Sequence, residues 1–383
     1  MSQLHLVVNT RMLLAGRLDG IGWFAYQTLR RLTQDHPDVR FTFLFDRPFS
    51  QEFIFGPNVT GRVVWPPVRH PLLYYVWYQI QVKKILNQLK PDLFLSPDGL
   101  LAVGVNCPQL PVIHDINFKH YPGALPFGLR TFFNYYFPKY AATAARIATV
   151  SKYSQRDIAD SYQVPLTKID VVYNGINEGF GPRDAATKKQ IRDKYTDGQE
   201  YFIFVGSLHP RKNIVRLLQA FDQFKQTTGS TFKLLCAGPK FWGQSEIDTT
   251  LRTLKHAQDI VFTGRVTDQI LSDLMGSAFA LTYVPYFEGF GIPLVEAMQA
   301  EIPIIAANTT SLPEIAGQAA VYVNPFKVNE ISDAMVQMSQ HADLLRTLIV
   351  HGQKQRNQFS WDKTTDALWT SITTAINTTK AGT

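Results

Sequence analysis

Residues 201–214 read YFIFVGSLHPRKNI and pass from an apolar run through a glycine turn into the start of a helical pattern. The run Tyr201–Val205 is typical of a strand that is buried on both faces of a parallel sheet. Because such sheets are built from strands that alternate with helices, the stretch predicts the first strand of a Rossmann-like domain.

The same alternation of short apolar runs and helical patterns continues along most of the 383 residues. It predicts strands at Leu4–Asn9, Arg40–Phe45, Arg62–Trp65, Leu93–Ser96, Val112–His114, Ile147–Val150, Ile169–Tyr173, Tyr201–Val205, Lys233–Ala237, Ile260–Thr263, Ala278–Tyr283, Pro303–Ala306 and Ala320–Val323. It predicts helices at Phe24–Leu32, Tyr74–Leu89, Ile214–Lys225 and Gln269–Met275. The fold class is therefore expected to be α/β, with parallel sheets covered by helices on both faces.

The alternation pauses once, between residues 178 and 200, where the sequence is polar and charged. A chain of 383 residues exceeds what one hydrophobic core usually serves. We therefore expect two Rossmann-like domains, residues 1–177 and 201–360, with residues 178–200 as the linker region between them. Residues 361–383 are helical by pattern and no strand follows them, so this helix can pack on either domain and can cross back to the first.

Composition and motifs exclude several classes of protein. The net charge of +7 suits an anionic partner, whether nucleotide diphosphate, lipid headgroup or nucleic acid. The two cysteines have no metal or redox spacing, the N-terminus does not resemble a signal peptide, and no apolar run approaches the roughly 18 residues of a spanning helix. We expect a cytoplasmic protein that at most rests on the inner face of a membrane.

Motifs for three common kinds of enzyme are missing, as is one metal motif. The sequence has no phosphate loop, no dinucleotide-binding glycine fingerprint and no Gly-x-Ser-x-Gly elbow. It also has no Asp-x-Asp, the carboxylate pair with which many sugar transferases hold a divalent metal. We therefore expect no metal site.

Ligands of such sheets bind beyond the carboxyl ends of the strands, so the residues after each strand are the informative ones. After Tyr201–Val205, Arg211 and Lys212 stand side by side at a strand-to-helix turn. Two cations with helix amides behind them suit a pyrophosphate. The alternative is a solvated basic pair, which the helix dipole disfavours.

The loop after Ala278–Tyr283 contains Glu288, Gly289 and Gly291, and the next helix contains Glu296. The two glycines let the backbone approach a ligand, and Glu288 can accept hydrogen bonds from sugar hydroxyls. Glu296 alone is better explained as a partner of the helix dipole. Together with Glu288 and the glycine turn, it indicates a sugar site.

In the first half, Gly22 ends an Asp-Gly-Ile-Gly turn before a helix, and His114 ends a predicted strand. A plain turn is the default interpretation of two such glycines, but the helix start makes Gly22 a candidate phosphate or sugar contact. A histidine in an apolar strand is commonly a packed core residue, and its position at the strand end makes a role in a cleft equally plausible.

Taken in order along the chain, these motifs match a known family. The sequence resembles the family 4 glycosyltransferases, retaining enzymes of the GT-B fold in which two Rossmann-like domains face each other across a cleft. The resemblance covers nearly the whole length, and it rests on residues 19–22, 113–115, 149–154, 173–176, 204–213, 262–266 and 288–296.

The resemblance implies roles for the residues of the glutamate motif. Glu288 is expected to touch the transferred sugar. The amides of Phe290, Gly291 and Ile292 are expected to contact the sugar or a phosphate. Glu296 is expected to bind the ribose hydroxyls.

Further roles follow for the other strand ends. Lys212 with Arg211 is expected to neutralise the diphosphate. Many members have arginine where this chain has Ser207, and Arg211 is expected to supply that charge. The backbone at Arg265 and Val266 is expected to hold the nucleotide base.

In the first domain, the resemblance assigns the amide of Gly22 to a phosphate. It places His114 over the donor sugar, near the reacting carbon. Both assignments require the two domains to close on one ligand.

The Pro-Arg-Lys-Asn subgroup resembles bacterial mannosyltransferases of surface-polysaccharide assembly. It implies GDP-mannose as the donor, a glycan or lipid-linked acceptor, and no metal or other cofactor. Acceptors bind the first domain in this fold. There, the aromatic and basic segments His70–Trp77 and Phe127–Tyr140 are expected to receive the acceptor or to contact an anionic membrane, with a core helix as the alternative.

Four other functions stay open from the sequence. A UDP- or dTDP-sugar can replace GDP-mannose as the donor. The chain can also be a catalytically silent nucleotide-sugar-binding protein or a sugar epimerase of the same architecture. A nucleic-acid binder is disfavoured because no RNA-binding motif is present.

Overall fold

The structure is a computed structural model that describes residues 3–68, 70–177, 179–239 and 245–381. The chain divides into two compact units, one formed by Met1–Gly175 with Ser360–Thr383 and the other by Ile176–Phe359. Each unit contains a parallel sheet with helices packed around it. This confirms the prediction of an α/β chain with two Rossmann-like domains.

The first unit contains strands β1 (His5–Asn9), β2 (Arg40–Phe45), β3 (Val59–Val63), β4 (Leu93–Ser96), β5 (Gln109–Pro111), β6 (Ile147–Thr149) and β7 (Ile169–Val171). Its helices are α1 (Gly20–Asp35), α2 (Pro71–Tyr75), α3 (Lys83–Leu89), α4 (Asn117–His120), α5 (Phe127–Thr143), α6 (Lys152–Tyr162) and the C-terminal α15 (Trp361–Ala381). A π-helical stretch, Val76–Val82, joins α2 to α3. Five strands form a parallel sheet in the order β3-β2-β1-β4-β5, and β6 pairs with β7.

The second unit contains strands β8 (Tyr201–Val205), β9 (Lys233–Ala237), β10 (Ile260–Gly264), β11 (Ala280–Tyr283), β12 (Ile304–Ala307) and β13 (Ala320–Val323). Its helices are α7 (Ala185–Thr196), α8 (Ile214–Thr228), α9 (Ser245–Thr253), α10 (Asp268–Ser277), α11 (Ile292–Gln299), α12 (Leu312–Ala316), α13 (Val328–Gln340) and α14 (Ala342–Gln355). The six strands form a parallel sheet in the order β10-β9-β8-β11-β12-β13.

Strand β1 explains why the apolar runs of this sequence are uninterrupted. Successive side chains of a strand point to opposite faces of the sheet. Val7 belongs to the hydrophobic core on one face, with Trp77 and Tyr78, whereas Leu6 and Val8 belong to the core on the other face. The side chains of Leu6, Val7 and Val8 are fully buried, so both faces of the strand require apolar residues at these positions.

The segment predicted as a linker is part of the second unit. It contains α7, which packs against α10, and the Asp184 carboxylate caps this helix by accepting a hydrogen bond from the Thr187 amide at 2.8 Å. Arg183 forms an ion pair with Asp273 of α10, with 2.7 Å between Nε and Oδ1. Of α7, only Thr196 is buried, so the polar composition belongs to a surface helix rather than to a linker. Glu178, the first residue of the predicted linker, lies outside the described residues.

The C-terminal helix α15 packs on the first unit. The Thr364 hydroxyl donates a hydrogen bond to the carbonyl of Tyr173 at 2.7 Å, and Leu368 and Ile372 join the same core as Phe24 of α1. Residues 382 and 383 of the predicted helix lie outside the described residues. In the part of the chain that the structure describes, no helix is both long and apolar enough to cross a membrane.

Two strands of the first unit are shifted from their predicted positions. Strand β3 is Val59–Val63 rather than Arg62–Trp65, because only its first residue is buried and the strand gives a weak apolar signal. Strand β5 is Gln109–Pro111 rather than Val112–His114, and Val112 adds only an isolated bridge to Ala148. Gln109 is buried because its side-chain amide exchanges two hydrogen bonds with the backbone of Ala102, at 2.8 and 3.1 Å. A buried polar residue such as Gln109 gives no hydrophobic signal, which explains the shift of β5.

Candidate functional site

The order of the second sheet fixes where a ligand is expected to bind. From β8 the chain adds β9 and β10 on one side, and β11, β12 and β13 lie on the other side. The strand order therefore reverses between β8 and β11. Because loops on either side of such a switch point diverge, the carboxyl ends of these two strands form the usual ligand crevice of an open α/β sheet.

Arg211 and Lys212 follow β8, and Glu288 follows β11, so the three charged side chains meet at this switch point. Arg211 Nη1 lies 2.6 Å from Glu288 Oε1 and also donates to the carbonyl of Phe287 at 2.6 Å. The Lys212 ammonium contacts the same Glu288 oxygen and donates to the hydroxyl of Tyr283 at 2.5 Å. The structure thus brings together three of the predicted site residues, and it adds Tyr283, which the sequence placed only as the end of a strand.

The backbone around the two cations is held by side chains of its own loop. Pro210–Lys212 form a turn of 3₁₀ helix, and His209 Nδ1 accepts a hydrogen bond from the Arg211 amide at 3.1 Å. Asn213 adopts a left-handed conformation, with φ of 62°, and its buried amide donates to the carbonyls of Val284 at 2.9 Å and Pro325 at 2.7 Å. The cationic turn is therefore tied to the loop that carries Glu288.

Glu288 is ionised in this environment. The residue is only 8% exposed, and burial alone would raise the pKa of its carboxyl group. The charges of Lys212 and Arg211 outweigh burial and hold the pKa below its ordinary value. The cluster therefore carries two positive charges and one negative charge, and its excess positive charge suits an anionic ligand.

The glycine turn after Glu288 needs its glycine for packing. Gly291 has φ of 100°, and a Cβ atom at this position would lie 2.6 Å from Leu312 Cδ2. Helix α11 begins at Ile292, and the amides of Gly291 and Ile292 have no hydrogen-bond partner within the described residues. These amides are therefore available to an anion or a hydroxyl group at the start of the helix.

Ser311 supports the turn that follows Glu288, and it was not among the site residues predicted from the sequence. Its fully buried hydroxyl lies 2.9 Å from the carbonyl oxygen of Glu288 and 3.0 Å from that of Phe290. The hydroxyl of Thr310 accepts a hydrogen bond from the Glu288 amide at 3.3 Å. The run of hydroxyl residues Thr309, Thr310 and Ser311 after β12, at the same edge of the sheet, is the signal in the sequence that points to this support.

Glu296 is the fifth residue of α11, just beyond its first turn, and lies in a different environment from Glu288. It is 6% exposed, and its carboxylate has no hydrogen-bond partner in the ranges that the structure describes. Burial, with a smaller contribution from the charge of Asp268, raises its pKa to about 8. The structure therefore keeps one glutamate ionised and the other largely protonated at neutral pH.

A glycine stands at the carboxyl end of three neighbouring strands of the second sheet. Gly206 follows β8, Gly238 follows β9 and Gly264 is the last residue of β10, and all three have positive φ. A Cβ atom on Gly238 would lie 1.9 Å from the carbonyl oxygen of Gly206, so only glycine fits there. The predicted contacts Ser207 and Arg265 are adjacent to these glycines, and the backbone can approach a ligand closely at this edge.

The remaining predicted residues at this edge differ in exposure. Arg265 is exposed, whereas Val266 and Ser207 are half-buried. Phe290 is 4% exposed and packs edge-to-face against Phe359, with ring centroids 5.7 Å apart. Their proposed contacts with a nucleotide stay predictions.

The amide of Gly22, in the first unit, is already engaged. It donates to the carboxylate of Asp19 at 2.9 Å, which makes Asp19 the N-cap of α1. A Cβ atom on Gly22 would lie 3.0 Å from the carbonyl oxygen of Met12. The glycine is therefore required by close packing, and a phosphate can use its amide only if Asp19 rotates away.

His114 is also held in the first unit. Its Nε2 lies 3.0 Å from the carbonyl oxygen of Pro97, and its ring packs edge-to-face against Phe24 at 5.0 Å. Burial lowers the pKa of the imidazole. The ring is therefore neutral at pH 7, with its proton on Nε2 and a lone pair on Nδ1.

Within the residues that the structure describes, no group of three or more His, Cys, Asp or Glu side chains is arranged to hold a metal ion.

Two family models match the chain, one in each unit. "Glycosyltransferase Family 4" matches residues 18–180, and "Glycosyl transferases group 1" matches residues 187–355. Together they cover the strand ends that carry the site.

The chain is similar to O-antigen chain mannosyltransferases of two bacteria. O-antigen chain mannosyltransferase B of Escherichia coli is 30% identical over 224 residues, which are 58% of this chain and 59% of the relative. O-antigen chain mannosyltransferase RfbU of Salmonella typhimurium is 25% identical over 290 residues, or 76% of this chain and 77% of the relative. The chain thus spans about three-fifths of the length of the first relative.

Solved structures share the fold at lower identity. Alr3699/HepE of Anabaena in complex with UDP and glucose has a TM-score of 0.73 at 14% identity, covering 97% of this chain and 100% of that structure. Sucrose-phosphate synthase of Thermosynechococcus elongatus has a TM-score of 0.76 at 16% identity, covering 96% and 97%. These likenesses support the two-domain α/β architecture.

Proposed function

The chain belongs to the family 4 glycosyltransferases of the GT-B fold, and from this premise we propose that it transfers a hexosyl unit from a nucleotide diphosphate sugar to a glycan in bacterial surface-polysaccharide assembly. The observation that carries the proposal is the cluster of Arg211, Lys212 and Glu288 at the switch point of the second sheet. Its excess positive charge lies where such sheets bind ligands.

The donor's diphosphate is assigned to Arg211 and Lys212. The amides of Gly291 and Ile292, which have no partner among the described residues, add neutral donors at the positive end of α11. Both cations bind Oε1 of Glu288, so we assign the second carboxylate oxygen to the hydroxyls of the sugar. In this arrangement the carboxylate positions the cations and the sugar together.

The leaving group needs stabilisation when the bond between the anomeric carbon and the diphosphate breaks. Negative charge then grows on the leaving oxygen, and cations fixed beforehand stabilise that charge without reorganisation. The acceptor oxygen forms the new bond on the same face of the sugar, and its proton passes to the departing phosphate. This path retains the anomeric configuration and requires no covalent enzyme intermediate.

The neutral imidazole of His114 is assigned to the sugar rather than to proton transfer. Its Nε2 is committed to the carbonyl of Pro97, so only Nδ1 is available, as an acceptor of a sugar hydroxyl. Because its pKa is lowered, the imidazole stays neutral, and it adds no positive charge beside the oxocarbenium ion that develops on the sugar. His114 is therefore proposed to orient the donor sugar.

Mannose is the proposed sugar and GDP the proposed nucleotide. Support comes from the relatives in Escherichia coli and Salmonella typhimurium, which are named O-antigen mannosyltransferases. The proposal also assigns the chain to the cytoplasm, where nucleotide sugars are available.

A panel of nucleotide sugars tests donor and function together. GDP-mannose, UDP-glucose and dTDP-glucose are each added at increasing concentration, while the melting temperature and the release of nucleotide are followed. GDP-mannose at a hundredfold excess over its Kd is expected to stabilise the fold by about 2.7 kcal/mol. Equal effects of all three donors contradict the choice of GDP-mannose, and the absence of any protection or hydrolysis contradicts the transferase function.

A further inference from the structure

A second polar cluster lies at the switch point of the first sheet and has no role in the proposed donor chemistry. The order β3-β2-β1-β4-β5 reverses between β1 and β4, so their carboxyl ends form the position at which such a sheet binds a ligand. Arg11 lies two residues beyond β1, and Asp98 lies two residues beyond β4.

The two residues form a buried ion pair within a hydrogen-bonded network. Arg11 Nε lies 2.5 Å from Asp98 Oδ2 and 3.1 Å from the hydroxyl of Tyr78, which itself donates to Asp98 Oδ2 at 2.7 Å. The other oxygen of Asp98 accepts from the hydroxyl of Ser96 at 3.0 Å. Asn9 donates to both Tyr78 and Ser96, at 2.9 and 3.1 Å. Asp98 is therefore fully satisfied.

The guanidinium group is only partly used by this network. Its Nε is engaged, but Nη1 and Nη2 have no hydrogen-bond partner within the ranges that the structure describes. The Arg11 side chain remains 11% exposed, against 2% for Asp98. The ring of Tyr74 lies 4.9 Å from the guanidinium carbon and supports the group from its face. A planar donor fork is thus held rigidly, with its outer nitrogens available.

The charges around Arg11 are balanced in pairs. On the neighbouring strand end, Arg47 forms two hydrogen bonds with the fully buried Asp46, Nε to Oδ1 at 2.7 Å and Nη2 to Oδ2 at 2.9 Å. The hydrogen bond to Asp46 raises the pKa of the Arg47 guanidinium, and the charge of Arg11 acts on it weakly in the opposite direction. Each of these two arginines is balanced by its own carboxylate, so neither pair presents excess positive charge to an anion, and a neutral ligand rich in hydroxyl groups matches them better.

We propose that Arg11, fixed by Asp98 and Tyr74, binds hydroxyl groups of a neutral sugar at the terminus of the acceptor glycan. The inference rests on the proposed transferase function and deepens it by naming the acceptor subsite and its ligand class. An arginine needed only to neutralise Asp98 could be replaced by lysine, whereas a hydroxyl-binding role requires the planar fork.

The test uses Arg11→Lys and the control Arg40→Lys in the full chain. Arg40 is an exposed residue at the first position of β2, at the opposite edge of the same sheet. The acceptor probe is methyl α-mannopyranoside, and methyl glucuronide and inorganic phosphate are the anionic probes. Arg11→Lys is expected to raise the KM for the mannoside by at least about tenfold, the scale of one lost hydrogen bond to a charged group. The KM for the donor is expected to stay within twofold, and Arg40→Lys to change neither constant.

A second variant covers the case in which Arg11→Lys does not fold. Tyr74→Leu removes the ring that supports the guanidinium and leaves the ion pair intact; it is expected to raise the KM for the mannoside by about threefold, the scale of one cation–π contact. Saturation-transfer NMR with the same probes measures binding without turnover. An unchanged mannoside affinity in both variants, tighter binding of phosphate or glucuronide than of mannoside, or no saturation transfer to the mannoside in wild type overturns the inference. A different result would contradict the transferase function itself: the wild-type chain would then neither bind nor hydrolyse the donor.

Discussion

Arg211 and Glu288 are 77 positions apart in the sequence, and their side chains meet at 2.6 Å between Nη1 and Oε1. The pair joins the loop after β8 to the loop after β11. Together with Lys212 it forms a preassembled charge cluster, so the cations do not need to be ordered by the ligand. Preorganisation of this kind is what electrostatic stabilisation of a leaving group requires.

Removing either a positive or a negative side chain from this cluster is expected to impair catalysis. Lys212→Ala and Glu288→Ala should each lower kcat/KM by about a hundredfold or more, the scale of one lost transition-state interaction. Steady-state kinetics with the donor checks this, with Lys327→Ala as the control because Lys327 is an exposed lysine of the same unit, paired with Glu330. Near-normal turnover in both site variants would falsify the assignment of the site.

Ser311→Ala is expected to destabilise the fold and the glutamate turn together. The variant leaves the carbonyls of Glu288 and Phe290 without their buried donor, which costs about 1–3 kcal/mol. Urea unfolding measures the loss, and Ser339→Ala is the control because its hydroxyl donates within its own helix, to Val336. A loss no larger than that of the control would show that Ser311 does not hold the turn.

The fold could be predicted from the sequence because parallel strands that are covered on both faces leave unbroken apolar runs. Tyr201–Val205 is such a run, and its predicted bounds match β8. The prediction failed for β5, because Gln109 is buried through hydrogen bonds to Ala102, which hydrophobicity does not register. It also failed for α7, a surface helix whose polar composition resembles that of a linker.

The site could be predicted only as separate loops. Arg211, Lys212 and Glu288 were each placed after a strand, but their mutual contact depends on β8 lying next to β11, and strand order cannot be read from an alternating pattern. The roles of Tyr283 and Ser311 depend on the same adjacency. The Arg11 network was missed for this reason too, because β1 and β4 are separated in sequence by β2, β3 and the helices between.

Activity is expected to survive removal of divalent metals. The diphosphate is assigned to Arg211, Lys212 and backbone amides, which stabilise the leaving group without a cation from solution. The measurement compares turnover in excess EDTA with turnover after dialysis and addition of Mg²⁺ or Mn²⁺. A rate that EDTA abolishes and either metal restores contradicts this prediction.

The first unit is expected to bind anionic membranes through α5. Phe132, Phe137 and Tyr140 of this helix are buried, which matches the core-helix alternative, but Phe127 and Tyr135 are 74% and 57% exposed. An exposed aromatic face with Arg130 and Lys139 on the same helix suits an anionic interface.

Flotation with liposomes tests this surface. Wild type is expected to float with vesicles that contain an anionic phospholipid and to stay unbound with neutral vesicles. The double variant Phe127→Ser/Tyr135→Ser should lose binding, whereas Val350→Ser, at a 47% exposed position of α14 in the second unit, should not. No binding of wild type to anionic vesicles removes the membrane proposal.

The last prediction concerns Glu296, whose pKa burial raises to about 8. Between the ordinary pKa of 4.5 and about 8, the folded chain holds a proton on this carboxyl group that the unfolded chain has lost. Folding stability therefore falls as the pH rises through this range.

Glu296→Gln removes the titrating group and should flatten this part of the stability profile. Relative to wild type, the variant should gain stability progressively from pH 5 to pH 9, by an amount on the order of a few kcal/mol at the upper end. Urea unfolding across this range measures the difference, with Glu246→Gln as the control because Glu246 is exposed. Replacing an ion-paired carboxylate would have the opposite effect. Such a variant would lose stability relative to wild type, and the loss would grow as the pH rises. A variant that loses stability relative to wild type at pH 9 would therefore show that Glu296 is ionised and paired in the folded chain.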